Sequence, residues 1–369
     1  MLIYLVLFTF FCLNTTWADI ANTYKNGDLF LERVNFDELS NWKNENFSEA
    51  LNAFIQNCNK LKTFPRSKNI FPQTNKNITK SDFAVACKLA NILNRYEEKH
   101  KKMFFEKFFI PYKVIKTDKK NNLFTGYYIP LIKAKRKKDS VYKYPIYKKP
   151  DELIEYKKYY TRRQINNGIL ANRNLEILYT NDPIDLFFVH TQGSANVYLV
   201  DERKIISICY DGKNNHDFAS IGNFLLQQEV IDREDLNAKK IKYFLKQNMD
   251  IAESILNVNK SYIFFRLSEN KTISGTFGTE LIPYRTIAVD TRYIPLGFPL
   301  WLITKYNVNG KMLDFNKIVL SNDTGSAIKG NIRGDIFFGY GKYAEDIASA
   351  QHYFGEYFLL LPKQIAKKL

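Results

Sequence analysis

A chain of 369 residues that is 45 % apolar and 15 % aromatic can bury one large or two ordinary cores, which excludes disorder as its main state. Its net charge of +16 favours polyanions or acidic surfaces, and nucleic acid and an anionic bacterial wall are the two classes that fit.

Residues 1–18 carry no charged side chain, are apolar from Leu2 to Leu13, and place small Thr16 and Ala18 at −3 and −1 to a cut before Asp19. That pattern predicts a secretory signal peptide. At about twelve residues the apolar stretch is short of the roughly twenty that span a bilayer. Cys12 follows bulky Phe10-Phe11 where a lipid-attachment signal wants small residues, so it reads as part of the discarded leader, with no clear lipobox. The expectation is an exported, periplasmic protein, with outer-membrane association left open. Export favours the wall over nucleic acid as the polyanion met.

Residues 37–107 read as helices with charged faces. Leu51, Phe54, Ile55 and Cys58 share one helical face, and Val85, Leu89, Ile92 and Tyr96 share another in the segment Asp82 to Tyr96, which holds Cys87. Two such helices packed together could join Cys58 to Cys87, and the alternative is two buried free thiols. A basic, Asn-bearing stretch follows over 113–122, and Lys133, Lys135, Arg136, Lys137 and Lys138 read as a solvated loop. Short β-like runs are predicted over 124–130, 185–189, 196–200 and 204–210. Helical segments follow over 221–228 and 238–248, then further strands over 263–266, 286–290, 299–303, 317–320 and 357–361. Short strands with irregular connections suggest β-barrels more than a parallel α/β sheet.

The chemistry concentrates near the C-terminus. In Asp323-Thr324-Gly325-Ser326-Ala327-Ile328-Lys329-Gly330 a carboxylate stands where the apolar run Ile318-Val319-Leu320 breaks into a Gly-rich turn. A strand end holds a side chain firmly, and glycine lets backbone and substrate approach closely. The N–H groups around Gly325, with Thr324 and the Lys329 ammonium, are candidates for orienting substrate oxygens. Asp290 and Asp335 are two more strand-end carboxylates. His100, His190, His216 and His352 are isolated and no two Cys or His fall at ligand spacing, so no metal site and no cofactor is expected. Asp-Thr-Gly-Ser also matches the turn of aspartic proteases, which need two such carboxylates, and this chain has one copy.

Taken together, Gly126-Tyr127-Tyr128, Tyr144-Pro145-Ile146-Tyr147, Gln192-Gly193-Ser194, Ser274-Gly275-Thr276-Phe277-Gly278, Arg285 to Asp290, Ile294-Pro295-Leu296-Gly297 and Asp323 to Gly330 occur in an order that resembles the MltA family of lytic murein transglycosylases. The C-terminal third resembles the 3D domain, named for three aspartates. The resemblance implies a mainly β chain with N-terminal helices: a double-psi β-barrel domain, an inserted second β domain, and a groove between them. The implied division is a leader over 1–18, a helical part of the barrel domain over 19–122, the insert over 123–262 and the 3D domain over 263–369.

It also implies cleavage of the MurNAc–GlcNAc β-1,4 bond of peptidoglycan by attack of the sugar's own 6-hydroxyl. Asp323 would be the catalytic acid, with its pKa raised by apolar neighbours such as Ile318, Val319 or Phe337. Asp290 and Asp335 would support it by capping, orienting the loop or binding sugar hydroxyls. Tyr127, Gln192, Gly193 and Ser194 are the expected glycan contacts. The implied partners are glycan strands and wall-synthesis proteins, with no nucleic acid, and the implied state is a monomer. The alternatives are a wall-binding protein without activity and, third, an aspartic-protease-like enzyme.

Overall fold

A computed structural model describes residues 20–117, 122–233, 237–268 and 272–369. The predicted leader and Cys12 lie outside the described residues.

Asn46 starts the first long helix, Phe47–Lys62, by accepting a hydrogen bond from the Glu49 N–H, and Glu49 in turn takes the Asn46 side-chain amide. The helix buries Phe47, Ala50, Leu51, Phe54, Cys58 and Leu61, one face at helical spacing. It packs with helices Ala84–Leu93 and Glu98–Phe108. A disulfide bond joins Cys58 to Cys87 across 29 residues. Reduction is expected to cost about 3–4 kcal/mol in the chain-entropy account, read as a lower urea midpoint with dithiothreitol present.

Two sheets follow. The larger has ten strands among the described residues, in the order 23–26, 29–33, 109–114, 356–362, 299–308, 311–323, 286–289, 334–340, 123–129 and 352–354. The smaller has six, in the order 263–268, 204–213, 194–199, 131–135, 176–180 and 144–147. The chain passes directly from Leu123–Ile129 in the larger sheet to Leu131–Lys135 in the smaller one, and the smaller sheet ends with Ile263–Ser268. The basic cluster read as a loop therefore begins inside a strand, and Arg136 pairs with Glu202.

Most neighbouring strands are antiparallel, but in the larger sheet 286–289 pairs parallel to 311–323 and 334–340 to 123–129, and in the smaller sheet 131–135 pairs parallel to 194–199. Alternation then sorts side chains to two faces. Phe124, Tyr128, Ile287, Val289, Ile336 and Phe338 enter the main core with the N-terminal helices and Trp301. Tyr127, Ile129, Ala288 and Phe337 face the other way and form a small apolar cluster with Ile328 and with Cys209 of the smaller sheet. Gly126 is required on the core face, where a Cβ would stand 2.5 Å from the Phe338 ring.

One expected element is wrong. Residues 185–189 were expected as strand, but they lie in helix Pro183–Gln192. Asp182 caps it by accepting from the Ile184 and Asp185 N–H groups, Pro183 opens it, and Gly193 ends it at a φ of 80°. The run is apolar on all sides because the helix is sandwiched. Leu186 and Val189 pack on the smaller sheet, while Ile184, Phe187 and Phe188 pack on helices 221–227, 238–247 and 249–256.

Candidate active site

Asp323 is the last residue of strand Lys311–Asp323. Thr286 opposes Leu320, whereas Ala288, two residues on, opposes Asp323, so three residues of one strand face two of the other. This bulge brings Asp323 rather than Asn322 onto the face of Ala288. The same register continues from Ala288 to Asp335 and from Asp335 to Thr125. Asp323, Ala288, Asp335 and Thr125 thus form one row across four adjacent strands. Alanine leaves room between the two carboxylates, which stand two strand spacings, about 10 Å, apart at the backbone.

Asp323 Oδ1 accepts three hydrogen bonds: from Thr276 N at 3.0 Å, Thr276 Oγ1 at 3.0 Å and Thr324 N at 2.9 Å. Oδ2 accepts one, from Tyr127 Oη at 2.8 Å. Burial raises the pKa of the carboxyl above its ordinary 3.8, and it outweighs the lowering effect of these donors. Of the three apolar neighbours expected to do this, only Phe337 lies in the site cluster, its ring tilted against that of Tyr127, and Ile318 and Val319 belong to the main core. Tyr127 is itself pushed well above the usual phenol range, first by burial and then by Asp323, so its hydroxyl stays protonated.

Thr276 is the site residue that reading the sequence missed. Its loop presses against the strand end: Phe277 N donates to Asn322 O, and a Cβ on Gly275 would stand 2.5 Å from that same carbonyl. The available signal was Ser274-Gly275-Thr276-Phe277-Gly278, where glycines flank a hydroxyl residue. From behind, Asn57 and Asn322 exchange two amide hydrogen bonds of 2.7 and 2.8 Å in the core, which ties the disulfide-bearing helix to the residue beside Asp323.

The other candidates divide. Thr324 shares a hydroxyl hydrogen bond with Thr276, Gly325 forms the turn that Ile328 N closes, and Lys329 is exposed on that turn and is not bonded to Asp323. Asp335 accepts from Thr125 Oγ1 at 2.6 Å. Its pKa is raised by burial and by the Asp323 charge, against the lowering effect of Arg333. Asp290 is buried and bound by Gly330 N at 2.9 Å and by the Arg292 guanidinium. Burial pushes it upward, yet these partners hold it below the usual range, which marks an ionised anchor for the end of the Asp323 turn. Gln192 sits at the sheet junction and takes the Tyr128 N–H at 3.2 Å, while Gly193 and Ser194 lead into the strand that pairs with Cys209. Among the described residues no cluster of His, Cys, Asp or Glu is placed to hold a metal, and no helix is long and apolar enough to cross a membrane.

The sequence and the fold have known counterparts. Residues 123–266 match the MltA specific insert domain and residues 285–360 match the 3D domain. The chain is 33 % identical over 243 residues to the membrane-bound lytic murein transglycosylase A of Vibrio cholerae, a match that covers 64 % of this chain and spans 65 % of that protein. The fold superposes on the crystal structure of a membrane-bound lytic murein transglycosylase from Agrobacterium tumefaciens with a TM-score of 0.79 at 26 % identity, covering 91 % of this chain and 99 % of that one. MltA from Neisseria gonorrhoeae gives 0.74 at 28 %, covering 93 % and 95 %. The chain belongs to the MltA family.

Proposed function

We propose that the chain is a lytic transglycosylase that cleaves the MurNAc–GlcNAc bond of peptidoglycan without water, leaving 1,6-anhydroMurNAc ends. The observation that carries this is Asp323, a carboxyl with a raised pKa on the open face of the larger sheet, bordering the smaller one. Its relatives' names support the substrate class.

Oδ1 already receives three donors, so the acid's proton belongs on Oδ2, where the Tyr127 hydroxyl can turn from donor to acceptor. Asp323 gives that proton to the glycosidic oxygen as the C1–O bond breaks. The carboxylate formed then accepts the proton of the sugar's 6-hydroxyl as that oxygen attacks C1, which restores the acid. The donors from Thr276 and Thr324 strengthen as charge develops on the carboxylate.

Asp335 stands apart, with Ala288 between, and serves to orient the substrate or the row. Too far from Asp323 to share a proton, it lends no support to the aspartic-protease alternative. Two parallel strand pairs in an otherwise antiparallel sheet favour the double-psi reading of the larger unit, with the second unit inserted as 131–268 and the glycan in the groove between them. Tyr127 and Gln192 to Ser194 would be its glycan contacts, and the place of action would be the periplasm.

The test is the pH dependence of soluble-fragment release from purified sacculi. Thr276→Val removes one donor to the carboxylate, so the pKa of Asp323 rises further and the alkaline limb moves to higher pH, with activity lower by about tenfold. An unmoved limb would remove Asp323 from the role of acid.

A further inference from the structure

Two guanidinium groups are buried among the described residues, and their surroundings differ. Arg285, 1 % exposed, is paired with Glu45 and Glu49. Arg162, 3 % exposed, has no carboxylate partner among the described residues. Its Nε donates to Asn259 O at 3.0 Å, Nη2 to Ser261 O at 2.6 Å and Nη1 to His190 Nδ1 at 2.8 Å, which leaves two of its five N–H groups without an acceptor. The Phe187 and Tyr262 rings lie 4.7 and 5.3 Å from the guanidinium carbon.

The contact to His190 fixes a tautomer. Arginine only donates, so Nδ1 must accept and Nε2 must carry the hydrogen. Nε2 is buried and has no partner, and His190 is 6 % exposed. Burial, and then the adjacent Arg162 charge, hold the imidazole pKa well below its ordinary value, so no second cation arises. Both groups line a partly open cavity of about 210 Å³ in the smaller-sheet unit, whose walls include Tyr144, Tyr147, Phe187 and Tyr262 and whose lining also includes one carboxylate, the exposed Glu253. The buried part of the cavity therefore presents one fixed positive charge, spare N–H donors and aromatic walls, while the Glu253 carboxylate is solvent-exposed and screened by water. An uncompensated buried charge is costly, and a matched anion removes that cost. One charge and apolar walls suit a monovalent carboxylate on a small apolar body, not a multiply charged phosphate.

We infer that this cavity binds the terminal carboxylate of a short apolar peptide, with Arg162 and His190 as its polar contacts. If the chain acts on peptidoglycan as proposed, the D-alanine termini of the peptide stems are one source of that group. Free peptides from other origins are the second. Neither the groove nor Asp323 is needed for this binding, so it can be tested separately from turnover.

The experiment is calorimetric titration of the full chain with N-acetyl-D-alanyl-D-alanine, its C-terminal amide and the L,L acid. The acid is expected to bind with a Kd of about 1 mM or tighter, and the amide at least about tenfold more weakly. Arg162→Gln is expected to abolish binding. Because Arg162 also holds two backbone carbonyls, Ala252→Leu, which narrows the cavity and leaves the charge in place, serves as the second variant and should weaken binding about tenfold. Preference for the D,D acid assigns the site to wall stems, and equal binding of both acids supports a general peptide-terminus site. No binding at about 10 mM, equal affinity for acid and amide, or unchanged affinity in Ala252→Leu would overturn the inference.

Discussion

Asp323→Asn is expected to lower fragment release from sacculi by about three orders of magnitude, the scale of general acid–base catalysis, while sacculus binding stays unchanged. Asparagine keeps the shape and can still accept the Thr276 and Thr324 hydrogen bonds on Oδ1, so the loss isolates the proton. A second consequence runs the opposite way. The folded carboxyl has a pKa above the ordinary 3.8 of the unfolded chain, so the folded state holds its proton more tightly. Ionisation therefore costs stability, fully so above the folded pKa, and that cost vanishes below the unfolded one. The variant should melt higher than wild type at pH 7, by on the order of a few degrees, and the gain should disappear as pH falls below 3.8. Calorimetry at both pH values reads this directly. A variant that is equally active, or less stable at neutral pH, would mean that Asp323 is not a strained acid.

Arg285→Met should destabilise the protein by about 3–5 kcal/mol, because it strands Glu45 as a buried, unpaired carboxylate. Arg285 Nη2 reaches Glu45 Oε1 at 2.7 Å and Nη1 reaches Ile318 O at 2.9 Å, while the other Glu45 oxygen takes the Ile318 N–H. The pair thereby fastens the segment before helix Phe47–Lys62 to strand Lys311–Asp323, which carries Asp323. A fall in melting temperature of roughly 5–10 °C is the expected reading. The double variant Arg285→Met with Glu45→Met should recover most of it, since both charges leave together. If the single change costs under about 1 kcal/mol, the pair is a surface-like contact and not the fastening described.

Much of this was legible in the sequence because local chemistry reported it. Apolar runs marked five of the ten strands of the larger sheet and three of the six of the smaller, helical spacing marked the face that carries Cys58, and the break from Ile318-Val319-Leu320 into a Gly-rich turn marked Asp323; on the second helix the apolar line Val85, Leu89 and Ile92 is largely turned outward, and Ala86, Cys87 and Ala90 form the buried face instead. What was hidden depended on partners far along the chain. Helix Pro183–Gln192 reads as a strand because both of its sides are covered, one by the smaller sheet and one by helices more than thirty residues later. The bulge that presents Asp323 in place of Asn322 exists only against strand Thr286–Val289. Thr276 carries no signature beyond its glycines, and it matters because Gly275 lets its loop close on Asn322. Arg162 and His190 lie 28 residues apart, and neither suggests the other.

The central claim is that one carboxyl, Asp323, drives cleavage by the sugar's own hydroxyl. Mass spectrometry of the muropeptides released from purified sacculi tests it most directly. The account predicts 1,6-anhydro ends, lighter by one water than reducing ends, from the wild-type protein and none from Asp323→Asn. Reducing ends would contradict it, and would instead place a water molecule, activated from the Asp335 side of the row, in the attacking role.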